Sequence, residues 1–145
     1  GTCLGISTSY QAVALSLNKA GKIVTIEGAK TLAQYAEQNI ETIGLENVRV
    51  VADRFQDVLD KVLNESRPVD FAFIDGHHDE NATMRYFDQL IPFLANQGVV
   101  LVFDDISWSP GMKKAWKKIK VDERVKTSVE LRKVGIYLMK TKIEK

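Results

Sequence analysis

Apolar residues follow two alternating rhythms along the chain. Stretches with apolar positions three and four apart predict helices, and the short β-branched runs between them predict strands. The first helix is expected over residues 8–20, with Ser7, Thr8 or Ser9 as N-cap and Gly21 closing it. Residues 22–27 read as a strand. Ala33, Ala36, Ile40 and Ile43 then share one helical face, and Gly44 ends that helix. Residues 48–51 form a second strand. Phe55, Val58, Leu59, Val62 and Leu63 make the next helical stripe, stopped ahead of Pro68. A strand over 70–74 leads into Asp75-Gly76, and Met84, Phe87, Ile91 and Leu94 mark a helix followed by Gly98. The most apolar strand, 99–103, runs into Asp104-Asp105. Met112, Ala115, Trp116 and Ile119 line a last helix. Residues 128–132 and 135–139 are strands joined only by Lys133 and Val134, a link that allows a hairpin but no helical crossover.

Strands with unbroken apolar runs, alternating with helices, predict an α/β fold: a mostly parallel sheet covered on both faces. The closing hairpin makes the sheet mixed. The chain opens on Gly1-Thr2-Cys3-Leu4-Gly5, a glycine-rich turn of the kind that follows a strand, so a preceding segment is expected ahead of Gly1.

Composition narrows the class without naming a function. With 145 residues, 45% hydrophobic and 27% charged, residues 1–145 fit one domain around a single core. No repeat or Pro/Ser-rich linker marks a boundary. A net charge of +1 creates little long-range field, so neither nucleic acid nor a membrane is expected as a partner. Cys3 is the only cysteine, which excludes an intrachain disulfide and fits a reducing compartment. No run approaches the roughly 18 apolar residues of a membrane span, and no signal-peptide pattern opens the chain. A cytoplasmic protein is the expectation.

Ligands of open parallel sheets sit at the carboxyl ends of the strands. Four predicted strand ends carry acids or glycines: Glu27-Gly28, Ala52-Asp53-Arg54, Asp75-Gly76-His77-His78 and Asp104-Asp105. With the turn over residues 1–5 they are expected to surround one crevice. Gly1 and Gly5 permit a close backbone approach, and the helix behind them offers free N–H groups to a carboxylate or phosphate. Two glycines four apart also fit a tight turn that binds nothing. Glu27 shifts the balance. It stands twenty-two residues after Gly5 at the next strand end, where an acid accepts hydrogen bonds from both ribose hydroxyls. Asp53 lies where an adenine amino group could donate to it, and it equally suits the N-cap of the helix begun near Phe55.

In Gly1-Thr2-x-x-Gly5-x-Ser7-Thr8, Glu27, Asp53, Phe55 and Phe73-Ile74-Asp75-Gly76-His77, the chain resembles the small class I methyltransferases. The nearest branch holds the catechol-type O-methyltransferases and their bacterial relatives, and the terminal hairpin extends the likeness through nearly the whole chain. The resemblance implies a Rossmann-like three-layer sandwich whose central first strand ends where this chain begins. That strand is expected to be missing ahead of Gly1, or replaced by another segment. It also implies S-adenosylmethionine as cofactor. Gly1, Thr2, Gly5, Ser7 and Thr8 would border its methionine part, and Glu27 with Gly28 its ribose. Ala52, Asp53, Arg54 and Phe55 would line the adenine pocket. Asp75, Gly76 and His77 would lie near the sulfonium and the substrate.

Methyl transfer from a sulfonium is a direct displacement, so the protein aligns the nucleophile and excludes water. A hydroxyl nucleophile must also lose its proton, to a base or with the help of a cation. Asp75 and His77 are the expected catalytic residues. His77 and His78 are the only histidines, both follow Asp75, and either suits a base near neutral pH. Asp75, Asp104 and Asp105 offer oxygen ligands to a hard cation such as Mg²⁺, Mn²⁺ or Ca²⁺. Catechol-type relatives use two aspartates and an asparagine; here Asp105 stands at the asparagine's place, and His78 replaces a lysine. Asp104 and Asp105 otherwise serve to cap their loop. Trp108, between Ser107 and Ser109, suits a substrate wall or packing on the next helix. Lys113, Lys114, Lys117, Lys118 and Lys120 form a basic face expected to be solvated.

The methyl acceptor is expected to be a small molecule carrying a hydroxyl. Two other readings share the fold. A nicotinamide dehydrogenase lacks support because the turn is not G-x-G-x-x-G, and a non-catalytic binding domain would not need acids at four strand ends. The sequence leaves the oligomeric state open, a homodimer included.

Overall fold

Strand and helix alternate as the apolar rhythms predict. The computed structural model describes residues 1–140, which fall into two compact units, one from Gly1 to Val62 and one from Leu63 onward.

In the first unit α1 (Ile6–Leu17), β1 (Ile23–Glu27), α2 (Lys30–Thr42) and β2 (Val48–Ala52) follow one another. β1 and β2 pair in parallel from Ile23↔Val48 to Glu27↔Ala52, so both strands end at the same edge. α2 buries Ala33, Ala36 and Ile40 and stops in a Schellman motif, with Gly44 in the left-handed region at φ 78. Leu45 N–H donates to the Ile40 carbonyl and Gly44 N–H to that of Glu41.

α1 departs from expectation at both ends. Its N-cap is Gly5 at φ 83, with no side-chain cap, and not Ser7, Thr8 or Ser9. A cap in the left-handed region suits glycine, and it moves the helix start two residues toward the N-terminus of the expected one. At the other end Lys19, at φ 55, takes the left-handed place expected of a glycine, ahead of Gly21. Helix α3 (Phe55–Ser66) spans the division between the units.

The second unit contains β3 (Phe71–Ile74), α4 (Glu80–Leu90), β4 (Val100–Phe103), α5 (Pro110–Lys120), β5 (Val125–Leu131) and β6 (Val134–Met139). Its sheet has the order β3-β4-β6-β5; β3 and β4 are parallel, and β6 is antiparallel to both neighbours. The core gathers Phe87, Leu101, Phe103, Ile119 and Tyr137, all essentially solvent-free. Asp79 caps α4 by accepting from Ala82 N–H, and Ser109, ahead of Pro110, caps α5 through Met112 N–H. α4 ends earlier than its apolar stripe suggests, because Pro92 cannot continue the ladder and residues Ile91–Phe93 tighten into a 3₁₀ turn. The hairpin turns on Arg132 and Lys133, one residue before the expected pair, with Leu131 opposite Val134 and Arg132 at φ 52. Among the described residues no helix is long and apolar enough to cross a membrane.

Candidate functional site

At the end of β1 the Glu27 carboxylate holds the glycine-rich turn. Its Oε2 accepts from Cys3 N–H at 2.8 Å and its Oε1 from Ala29 N–H at 3.0 Å. Gly5 N–H donates back to the Thr2 carbonyl at 2.8 Å, and the Thr2 and Thr25 hydroxyls meet at 2.7 Å. The turn packs tightly at Gly5, where a Cβ would lie 3.4 Å from Ala36 Cβ and Ile40 Cδ1. Cys3 at φ 50 and Gly5 at φ 83 turn the backbone at the amino end of α1. Of the turn's expected ligand groups Gly1 and Ser7 are exposed, whereas Thr2, Gly5 and Thr8 are buried.

Burial pushes the Glu27 carboxyl up, but the N–H groups of Ala29 and Cys3 outweigh it and hold it below the ordinary glutamate value. The ionised form is therefore what ties strand to turn. That tie is complete above the ordinary glutamate value and is lost as pH falls through the lowered one. In an NMR titration the Cys3 and Ala29 amide shifts are expected to move with a midpoint below that of an unperturbed glutamate. A midpoint at or above it would detach the carboxylate from the turn.

β2 ends beside this point. Ala52 pairs with Glu27, and Asp53 and Arg54 follow, both exposed. Asp53 Oδ1 accepts from Arg54 N–H at 2.8 Å. The carbonyl that receives the first α3 bonds, from Asp57 and Val58, is that of Arg54, so the helix starts from Arg54 and not from Asp53. A Cβ on Gly28 would meet only Arg54, at 3.8 Å, which is ordinary contact.

In the second unit the ends of β3 and β4 lie side by side. Ile74 pairs with Phe103, and Asp104 N–H donates to the Ile74 carbonyl at 3.0 Å. Asp75 and Asp104 thus leave adjacent strands at one level. His78 lies between the two loops, its Nε2 3.5 Å from Asp75 Oδ1 and its Nδ1 3.9 Å from Asp105 Oδ2. That Nδ1 is buried without a hydrogen bond. Trp108 is exposed, its ring centroid 6.4 Å from that of His78, and Ser109 Oγ reaches the His78 carbonyl at 3.4 Å.

Three non-glycine residues here sit in the left-handed region: His77 at φ 62, His78 at φ 41 and Asp105 at φ 51. Each costs on the order of 1–3 kcal/mol, and such strain clusters where side-chain placement matters more than backbone ease. Asp104 is engaged locally, accepting from Asp105 N–H at 2.8 Å. Among the described residues no three His, Cys, Asp or Glu side chains are grouped so as to hold a metal ion.

Within each unit the paired strands end at one edge, Glu27 beside Ala52 and Ile74 beside Phe103. Two groups escape sequence reasoning. One is the backbone pair Cys3 and Ala29 that engages Glu27. The other is Tyr86, whose hydroxyl lies 2.7 Å from Nδ1 of His77. Nothing in periodicity distinguishes Tyr86 from any other buried aromatic on α4.

A family profile described as "Methyltransferase domain" matches residues 1–106. A catechol O-methyltransferase from Niastella koreensis is 32% identical over 108 residues, 73% of this chain and 47% of that protein. The chain therefore spans about half the length of this curated relative. Among solved structures, an O-methyltransferase from Bacillus cereus in complex with SAH superposes with a TM-score of 0.77 at 26% identity, over 95% of this chain and 71% of that one. The O-methyltransferase TomG from Streptomyces achromogenes, in complex with SAM, gives 0.79 at 22% identity, over 96% and 70%.

Proposed function

The chain belongs to the methyltransferase domain family, and from that premise we propose that it transfers a methyl group from S-adenosylmethionine to a hydroxyl oxygen of a small-molecule acceptor. The observation that carries this reading is the Glu27 carboxylate at the end of β1, pinned to the glycine-rich turn by Cys3 and Ala29. Each carboxylate oxygen accepts one backbone N–H and retains acceptor capacity for a ribose hydroxyl. The uncapped amino end of α1 suits the carboxylate of the methionine part. The 32% identical relative, a catechol O-methyltransferase, supports a hydroxyl as acceptor.

In this reading residues 1–145 act as one domain. Gly1, Thr2, Gly5, Ser7 and Thr8 serve the methionine part. Glu27 and Gly28 serve the ribose, and Ala52, Asp53, Arg54 and Phe55 the adenine. Asp75, Gly76 and His77 serve the sulfonium and acceptor. Bound S-adenosylmethionine supplies an electrophilic methyl on a sulfonium that leaves readily. The bound group would give its methyl carbon to the acceptor oxygen, and its sulfur would keep the electron pair of the broken C–S bond. Asp75 and His77 orient the acceptor hydroxyl, and its proton passes to a base at the end of β3.

Asp75, Asp104 and Asp105 have the oxygen chemistry of a hard-cation site. As arranged they form no ligand group. A three-layer arrangement and an added strand belong to the same proposal. β1 and β3 each have one ladder edge without a strand partner among the described residues. α1 exposes Ile6, Tyr10, Val13 and Leu17, apolar surface that an added segment would cover.

Calorimetry tests the reading. S-adenosylmethionine and S-adenosylhomocysteine are expected to bind and NAD is not, with turnover of a hydroxylated acceptor. Binding of NAD alone would overturn the assignment, binding without turnover on any acceptor would leave a non-catalytic domain, and loss of turnover with chelator would bring a cation into the chemistry.

A further inference from the structure

Tyr86 has no part in the reading above, yet its hydroxyl meets the His77 ring. It sits on α4 at 3% exposure, with its hydroxyl 2.7 Å from His77 Nδ1. The two ring centroids are 5.8 Å apart and the planes tilted by 52°, a hydrogen-bonding approach and not a stack. The loop holds His77 in the left-handed region to bring the rings together. Burial raises the Tyr86 pKa above its ordinary value, so the phenol keeps its proton at neutral pH.

We propose that Tyr86 donates its hydroxyl proton to Nδ1 of His77, fixing His77 as the Nε2–H tautomer, so that His77 meets the methyl acceptor as a hydrogen-bond donor. The 2.7 Å separation is typical of a hydroxyl donor and lies at the short limit for an N–H donor. A neutral imidazole accepts at one nitrogen only, so accepting at Nδ1 places the ring proton on Nε2. Tyr86 acts through His77 and is a positioning residue. The tautomer stands on geometry alone; the use made of Nε2–H rests on the methyl-transfer reading.

The test is ¹⁵N NMR of the histidine rings in the whole protein at a pH where they are neutral. With only two histidines, the spectrum of His77→Gln assigns both. The expected result is an unprotonated Nδ1 and a protonated Nε2 for His77, with Tyr86→Phe giving a mixture of tautomers. In that variant kcat should fall about tenfold, the worth of one oriented hydrogen bond, while S-adenosylhomocysteine affinity stays within about twofold. A wild-type His77 protonated at Nδ1, or a tautomer ratio unchanged in Tyr86→Phe, overturns the proposal. An altered ratio with unchanged kcat overturns the role at the acceptor. Should Tyr86→Phe fail to fold, the wild-type spectrum alone decides. A confirmed tautomer in a protein that binds no S-adenosylmethionine would sink the methyl-transfer reading and leave the Tyr86–His77 assignment intact.

Discussion

Replacing Glu27 with alanine is expected to weaken S-adenosylmethionine binding about a hundredfold. A carboxylate that accepts from two ribose hydroxyls makes two charge-assisted hydrogen bonds, and losing about 2.7 kcal/mol of that interaction is a factor of a hundred. The variant also frees the N–H groups of Cys3 and Ala29. Both bonds lie at the surface, where water takes the place of the carboxylate, so the folding cost should stay below about 1 kcal/mol. The turn keeps the Gly5 N–H to Thr2 carbonyl bond and the Thr2–Thr25 hydroxyl pair. Glu27→Gln should lose less, about tenfold, because its amide retains one acceptor oxygen but presents an NH₂ to one of the two backbone donors. Calorimetry with S-adenosylmethionine, beside a thermal melt of each variant, separates binding from folding. Unchanged affinity in Glu27→Ala would refute the ribose assignment, and a melting loss of many degrees would show that its main work is to hold the turn.

The strand ends were legible because two physical rules coincide there. A buried parallel strand must be apolar, so its end is marked by the first acid: Glu27 after Ile26, Asp75 after Ile74, Asp104 after Phe103. Pairing then sets those acids level within each unit, as Glu27↔Ala52 and Ile74↔Phe103 do. Local backbone choices were less legible. Side-chain caps can be read from residue type, and Asp79 and Ser109 do cap. A left-handed backbone at Lys19, His77, His78, Asp105 and Arg132 cannot, since none is glycine and each is set by what surrounds it. That is why the hairpin turns one residue early. It is also why Tyr86 escaped notice: its bond to His77, nine residues away, depends on one such bend.

The largest loss of stability from a single added methyl is expected at Gly135→Ala. Gly135 lies within β6, opposite Phe103 on β4 and Glu130 on β5, in ordinary strand conformation. By strand propensity alone, alanine there should stabilise by about 0.5–1 kcal/mol. Space dictates the opposite sign. A Cβ built on Gly135 falls within the indole of Trp116, overlapping Cζ3, Cε3 and Cη2. The indole is held in place. Trp116 is buried, its Nε1–H donates to Glu130 Oε2 at 2.9 Å, and its ring lies 4.5 Å from that of Tyr137. Tyr137 is itself fully buried and donates its hydroxyl to the Trp116 carbonyl at 2.9 Å. Admitting one methyl therefore displaces a ring that two strands and a helix hold in common, at a cost of about 3 kcal/mol. Thermal denaturation should show a Tm lower by roughly 10 °C. Trp116→Leu in the Gly135→Ala background removes the clash and should cost less than the two single changes summed, because the sites share one volume. A Tm that rises in Gly135→Ala would mean that strand propensity, and not the indole, governs this position.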